Sequence, residues 1–196
     1  MAEITGLTLR DGTRVSLRPL VPSDREALAE AYRRLSPEAR YQRFWTHTGA
    51  VIGEKMLDRI LATDPAWHAA WAVLDPARDF PGIGAASWWR DAHAPEEAEF
   101  SVTVLEGERG RGVGTLLLAV MWLTALNVGV ERLVAYALPD NTRAARWMRS
   151  CGGSGEWDGY KIIYRWELAD PRQLPDAQRT AELATWLSQL APLILK

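Results

Sequence analysis

Glu99-Phe-Ser-Val-Thr-Val-Leu-Glu-Gly-Glu-Arg109-Gly-Arg-Gly-Val-Gly114-Thr-Leu-Leu-Leu118 decides the fold. Its first part is rich in β-forming residues and sets Val102 and Val104 on one face, so a strand is predicted over 98–104. The apolar run that follows predicts a helix over 112–128. Between them lie Arg109, Gly110, Arg111, Gly112, Val113 and Gly114, and then Thr115 in the first helical turn. Glycine lets the backbone come close to a ligand. The helix start offers unpaired N–H groups and the positive end of its dipole. Strand, glycine loop and helix start together make a phosphate cradle.

The glycine spacing separates the known cradles. The dinucleotide fingerprint needs Gly-x-Gly-x-x-Gly, which Gly110-x-Gly112-x-Gly114 fits badly, and the P-loop Gly-Lys-Ser/Thr is absent. Arg109, Gly112 and Gly114 instead fill the pattern Arg/Gln-x-x-Gly-x-Gly/Ala, which resembles the acetyl-CoA pyrophosphate loop of the GNAT N-acetyltransferases. Downstream, a strand predicted over 132–138 is broken at Pro139-Asp140-Asn141, and a helix follows to Cys151-Gly152. This resembles the second GNAT motif, strand-Asn-x-x-Ala-helix-Gly. Asp11-Gly12-Thr13-Arg14 and Leu35-Ser-Pro-Glu-Ala-Arg-Tyr-Gln-Arg-Phe44 narrow the resemblance to the GNAT domain of bacterial Pat-type protein lysine acetyltransferases. That domain is often fused to a larger regulatory part, and this chain is too short to hold one.

The resemblance implies a mixed, mostly antiparallel α/β sheet with helices on both faces and a splayed central strand pair. It would span 1–170, with 171–196 as a linker and an amphipathic helix. It implies acetyl-CoA as co-substrate and no metal. The amides of Arg111 to Gly114 would hold the pyrophosphate, with charge from Arg109 and Arg111; a solvated Arg111 is an equal alternative. The strand edge at Val102 and Val104 would hold the pantetheine arm, and an amide near Val102 would polarise the acetyl carbonyl. Asn141 would contact CoA or serve only as a helix N-cap.

Lysine is protonated at neutral pH, with a reference pKa of about 10.4, so a base must take its proton. Glu99 stands where Pat-type proteins carry their catalytic glutamate, and it shares a strand face with Ser101 and Thr103. An edge glutamate in water is the competing account, and Glu97 is the base if the register slips by two. Where many GNAT enzymes have a proton-donating tyrosine, this chain has Met148. Tyr160 or water is left as the proton source for the thiolate. Gly153 replaces the usual aromatic residue after Gly152. Trp45, His47, Trp88 and Trp89 are expected on elements that face the acceptor site.

Composition sets the outer limits. The chain has 196 residues, 47% hydrophobic and 24% charged, as expected for a soluble domain with a sizeable core. A net charge of −2 offers nothing to nucleic acid, and no apolar run reaches a membrane span. Cys151 is the only cysteine, so a reducing, cytoplasmic setting is expected, and no His/Cys cluster has metal-ligand spacing. The first residues carry no signal-peptide pattern, so no export is expected.

Local signals place the other elements. Asp11-Gly12 predicts a hairpin over 7–20. Ser23, with Glu26 three residues on, is read as the N-cap of a helix striped by Leu28, Tyr32 and Leu35. Ser36-Pro37 starts a second helix, and 54–61 forms a third. Strands are predicted over 67–74, 83–89 and 160–168, a turn or loop over 152–159, and a linker over 171–175. A helix over 176–190 carries Leu183, Leu187, Leu190 and Ile194 on one stripe. That stripe packs on the domain or on a second copy, giving a homodimer in the latter case. Three functions are carried forward: acetyl transfer to a protein lysine, acetyl transfer to a small amine, and a non-catalytic acyl-CoA-binding module.

Overall fold

The computed structural model describes residues 2–47, 49–169, 174–175 and 177–195. Fourteen elements follow in chain order: β1 (Ile4–Thr8), β2 (Arg14–Pro19), α1 (Arg25–Arg33), α2 (Pro37–Phe44), α3 (Glu54–Leu61), β3 (His68–Leu74), β4 (Gly82–Arg90), β5 (Glu97–Val104), α4 (Val113–Leu126), β6 (Arg132–Ala137), α5 (Thr142–Ser150), β7 (Ser154–Trp157), β8 (Ile162–Glu167) and α6 (Gln178–Ile194). The strands form one sheet in the order β1-β2-β3-β4-β5-β6-β8-β7. Neighbours are antiparallel except β5 and β6, which run parallel.

The parallel pair positions the site. Its ladder covers only Glu97–Glu99 against Arg132–Val134, while β5 runs on to Val104 against β4. Past Glu99 the two central strands splay apart. The side of β5 that faces β6 therefore keeps backbone donors and acceptors outside the ladder.

Strand alternation sorts the two faces. On β3, Trp71 and Val73 join the main core, whereas Ala70 and Ala72 join the smaller cluster with Leu20 and Leu61. The main core holds α4, which is buried from Val113 to Ala125 on nearly every side. A helix apolar all round must be covered on both sides. The sheet covers one side, and α6 covers another with Leu183, Trp186, Leu187, Leu190 and Ile194. The expected stripe therefore packs on this chain's own α4. The other sheet face carries α1 and α3.

Two local expectations are corrected. Residues 152–159 hold β7, not a loop, and it pairs with β8 through Ser154–Trp157. Glycines hid the strand because rings fill their space. A Cβ on Gly153 would lie 2.7 Å from the Trp166 ring, and one on Gly155 would lie 2.7 Å from the Tyr164 ring. Trp166 thus supplies the aromatic surface that Gly153 lacks. Nor does Ser23 cap a helix. Pro22–Asp24 form a 3₁₀ turn, and the Asp24 carboxylate accepts from Val21 N at 2.8 Å and from Arg18 Nη2 at 2.7 Å. Most of the expected 171–175 linker lies outside the described residues.

Gly84 sits where β4 crosses the start of α4. A Cβ there would meet Val113 Cγ1 at 2.9 Å and Thr103 O at 3.2 Å. Gly84→Ala is expected to cost about 1–3 kcal/mol through overpacking. A urea melt whose midpoint matches the parent's would show that the β4–α4 contact has slack.

Candidate functional site

The splayed strands, the glycine loop and the α2–α3 segment enclose one cleft of about 1110 Å³. At one end, Arg109, Gly110, Gly112 and Gly114 line it. Gly110 and Gly112 have φ of 81° and 97°, a backbone region that side chains disfavour. This turn delivers the chain into α4, whose first bond runs from Leu116 N to Gly112 O at 3.0 Å. The N–H groups of Val113, Gly114 and Thr115 therefore precede the helical ladder. The side chains of Val113 and Thr115 are buried, so these residues offer the cleft their backbone.

Arg111 is placed differently. Its guanidinium turns away from the cleft to Asp11 Oδ2 at 2.5 Å, Thr13 Oγ1 at 2.5 Å, Asp75 Oδ2 at 3.7 Å and Glu108. Its side chain is paired rather than solvated, and it does not line the cleft. It clamps the β1–β2 turn to the glycine loop. Two hydrogen bonds, from Thr13 N and Arg111, hold Asp11 well below the usual carboxylate range, at about 2. The cations at this end of the cleft are instead Arg109, Arg143, Arg146 and Arg179. The last three were missed because α5 and α6 bring them in from distant sequence. Asn141 Oδ1 accepts from Ala144 N at 3.1 Å and so caps α5, while Asn141 also lines the cleft.

Midway along, Val102 and Val104 of β5 line the cleft. Glu99 stands on the opposite β5 face from Phe100, which is buried in the main core. It is level with Trp89 of β4, is exposed, and opens into the same cleft. Glu97 is tied to Arg132 at 2.5 Å and does not line the cleft. Behind Glu99 sits Arg43, from the last turn of α2. Its Nη2 donates to Ser101 Oγ at 2.7 Å, and Ser101 Oγ lies 3.1 Å from Ser87 Oγ. Burial lowers the Arg43 pKa, and the charge of Glu99 opposes that shift. Arg43 lies 56 positions from Glu99, and no local pattern in the sequence joins them.

The tryptophans divide. Trp89 and Trp45 line the cleft. Trp88 does not: it is fully buried beneath α4 and donates from Nε1 to Thr124 Oγ1 at 2.9 Å. Adjacent residues of one strand face opposite ways, so only one of the pair reaches the site. His47 stacks on Tyr41 with ring centroids 4.8 Å apart. Met148 lines the cleft and carries no proton to donate. Tyr160 is exposed and meets Trp45 edge-on at 6.2 Å. Cys151 is buried and its thiol is pushed up to about 11, which makes it inert as a nucleophile at neutral pH. No group of three or more metal-ligating side chains gathers among the described residues, and no helix there is long and apolar enough to cross a membrane.

Comparison with known proteins gives four matches. The family model described as an acetyltransferase (GNAT) domain matches residues 14–154. Acetyltransferase Pat of Mycolicibacterium smegmatis is 31% identical over 144 residues, 74% of this chain and 42% of that protein. The chain thus spans about two fifths of the length of that curated relative. Among solved structures, the GNAT domain of S. lividans PAT superposes with a TM-score of 0.77 at 24% identity, covering 84% of this chain and 96% of that one. A cAMP-binding acyltransferase from Mycobacterium smegmatis superposes with a TM-score of 0.60 at 23% identity, covering 100% and 56%.

Proposed function

Because the chain belongs to the GNAT acetyltransferase family, we propose that it transfers acetyl from acetyl-CoA to an amine, with a protein lysine as acceptor. One observation carries the reading. The glycine loop, the open edge of β5 and the Glu99 carboxylate face a single continuous cleft. The residues fit the co-substrate. Amides at the α4 start and the cations of Arg109, Arg143, Arg146 and Arg179 suit a phosphorylated tail. The unladdered edge at Val102 and Val104 suits an amide-bearing arm. The bound co-substrate supplies an activated acetyl thioester. Glu99 takes the proton of the incoming ammonium, and a β5 amide near Val102 polarises the carbonyl. Met148 leaves water as the proton source for the departing sulfur.

The exposure of Glu99 supports a protein acceptor over a small amine, which a deeply enclosed base would suit better. The similarity to Pat supports the same choice. A cytosolic setting agrees with the one buried, unpaired cysteine.

The cradle gives the direct test. Acetyl-CoA at about a hundred times its Kd should stabilise the parent by about 2.7 kcal/mol. A side chain at Gly112 would sit in a left-handed backbone position, with its Cβ 2.5 Å from Glu182 Oε1. Gly112→Glu also brings a negative charge to the phosphate site. Its acetyl-CoA-dependent rise in melting temperature should vanish. A folded Gly112→Glu chain with the parent's rise would remove acetyl-CoA from this cleft. With binding established, a mass-spectrometric screen of lysine proteins and small amines identifies the acceptor.

A further inference from the structure

One lysine of this chain already stands in the cleft. Only Lys55, Lys161 and Lys196 occur in the sequence. Lys161 lies just before β8 and lines the cleft with Glu99, Trp45 and Tyr136. The sheet register puts these groups on one side. Glu99 is level with Val134 across the parallel pair, so Tyr136, two residues on, shares that face. Tyr136 is opposite Ile163 in β8, so Lys161, two residues before it, shares the face as well.

The ammonium is held by rings. Lys161 Nζ lies 3.9 Å from the Tyr136 ring centroid and 5.8 Å from that of Trp45. The two π faces hold the cation, and the nearby Asp158 carboxylate adds a longer-range attraction. The backbone under it is also fixed. The Asp158 carboxylate accepts from Tyr160 N at 2.9 Å and from Lys161 N at 2.8 Å, closing the turn between β7 and β8. Trp45, on the far side, is the one non-glycine residue with positive φ among the described residues, at 57°. A bulky side chain in that region is strained, and such strain gathers at functional sites. Here it sets the Trp45 ring edge-on to Tyr136 at 6.4 Å.

We propose that Lys161 is an acetyl acceptor within its own chain, seated between Trp45 and Tyr136 and deprotonated by Glu99. The inference rests on the acetyl-transfer reading above. The Lys161 ammonium gives one proton to Glu99, and the amine attacks the thioester carbonyl of acetyl-CoA. The N–C bond forms as the C–S bond breaks, and the second nitrogen proton ends on the departing sulfur through solvent. The product is a neutral amide at residue 161 and free CoA thiol. Loss of the cation ends its attraction to the two rings and frees that aromatic surface for the lysine of another protein.

The test uses the full chain and acetyl-CoA with no added acceptor. Peptide mass spectrometry follows Lys161 and Lys55, an exposed lysine on α3 that reports plain chemical acetylation. A seated amine should react roughly tenfold or more faster than Lys55, because held geometry replaces a random encounter. The Lys161 rate constant should stay the same at a tenfold higher protein concentration. It should fall to the Lys55 level in Arg109→Ala, which weakens the cradle without touching the lysine seat. Equal rates at Lys161 and Lys55 would overturn the proposal, as would a Lys161 rate constant that rises with protein concentration or is unchanged in Arg109→Ala. Thermal shift on the same samples separates the two claims. Stabilisation by acetyl-CoA with Lys161 unlabelled defeats this inference alone, whereas absence of any stabilisation defeats the acetyl-CoA reading with it.

Discussion

Glu99→Gln is expected to bind acetyl-CoA as the parent does and to turn over roughly 10²–10⁴-fold more slowly at neutral pH. Glutamine keeps the size of the side chain and its place level with Trp89, but it cannot accept the proton. The cradle at Gly110–Gly114 lies at the other end of the cleft, so affinity for acetyl-CoA is spared. The deficit should shrink as pH rises. A lysine acceptor has a reference pKa of about 10.4, so alkaline solution supplies more free amine and less work for the base. Met148→Ala should change turnover little, since its sulfur carries no proton to lose. The check is a pH–rate profile of parent and both variants against a lysine-bearing acceptor. Parent-like turnover by Glu99→Gln at pH 7 would hand the proton to water. Glu97 is a weak substitute, because Arg132 holds it 2.5 Å away on an ion pair outside the cleft.

Leu187→Ala should carry a large stability loss for a single core substitution on α6. Leu187 is 5% exposed, and its neighbours Leu183 and Leu190 are fully buried in the core shared with α4. Truncating a buried leucine costs about 2–5 kcal/mol through lost burial and the cavity left behind. In a domain of this size each kcal/mol lowers the melting temperature by about 2–4 °C. Ending the chain at Leu168 removes the whole cover and exposes one side of a helix that is apolar all round. That chain should lose cooperative melting or associate through bare α4. The loss should reach the cleft as well, since Arg179 lines it and Glu182 packs beside Gly112 and pairs with Arg10. Calorimetry and sedimentation of Leu187→Ala and of the chain ending at Leu168 decide this. A monomer ending at Leu168 with the parent's melting curve would make α6 a detached appendage.

What the sequence determined by itself was whatever a few neighbouring residues dictate. Gly110 and Gly112 adopt the left-handed backbone that only glycine takes cheaply, and the apolar run after them must be a buried helix. The alternation in β5 was enough to put Glu99 and Phe100 on opposite faces, Pro37 marked the start of α2, and a cap was one of two readings of Asn141 because a cap bonds within three residues. Where the signal was erased or shared, local reading failed. Gly155 sits in β7 because the Tyr164 ring occupies the space of a side chain, and Gly153, just before the strand, lies against Trp166 in the same way. Arg111 had the right address for a phosphate ligand, yet Asp11, Thr13 and Asp75 from other strands and turns capture it. Only the tertiary structure decided which cations face the cleft, which of Trp88 and Trp89 reaches it, and that Arg43, Trp45, Tyr136 and Lys161 converge around Glu99. Those choices depend on sheet order and on the splay of one strand pair, which bring together residues that no spacing along the chain relates.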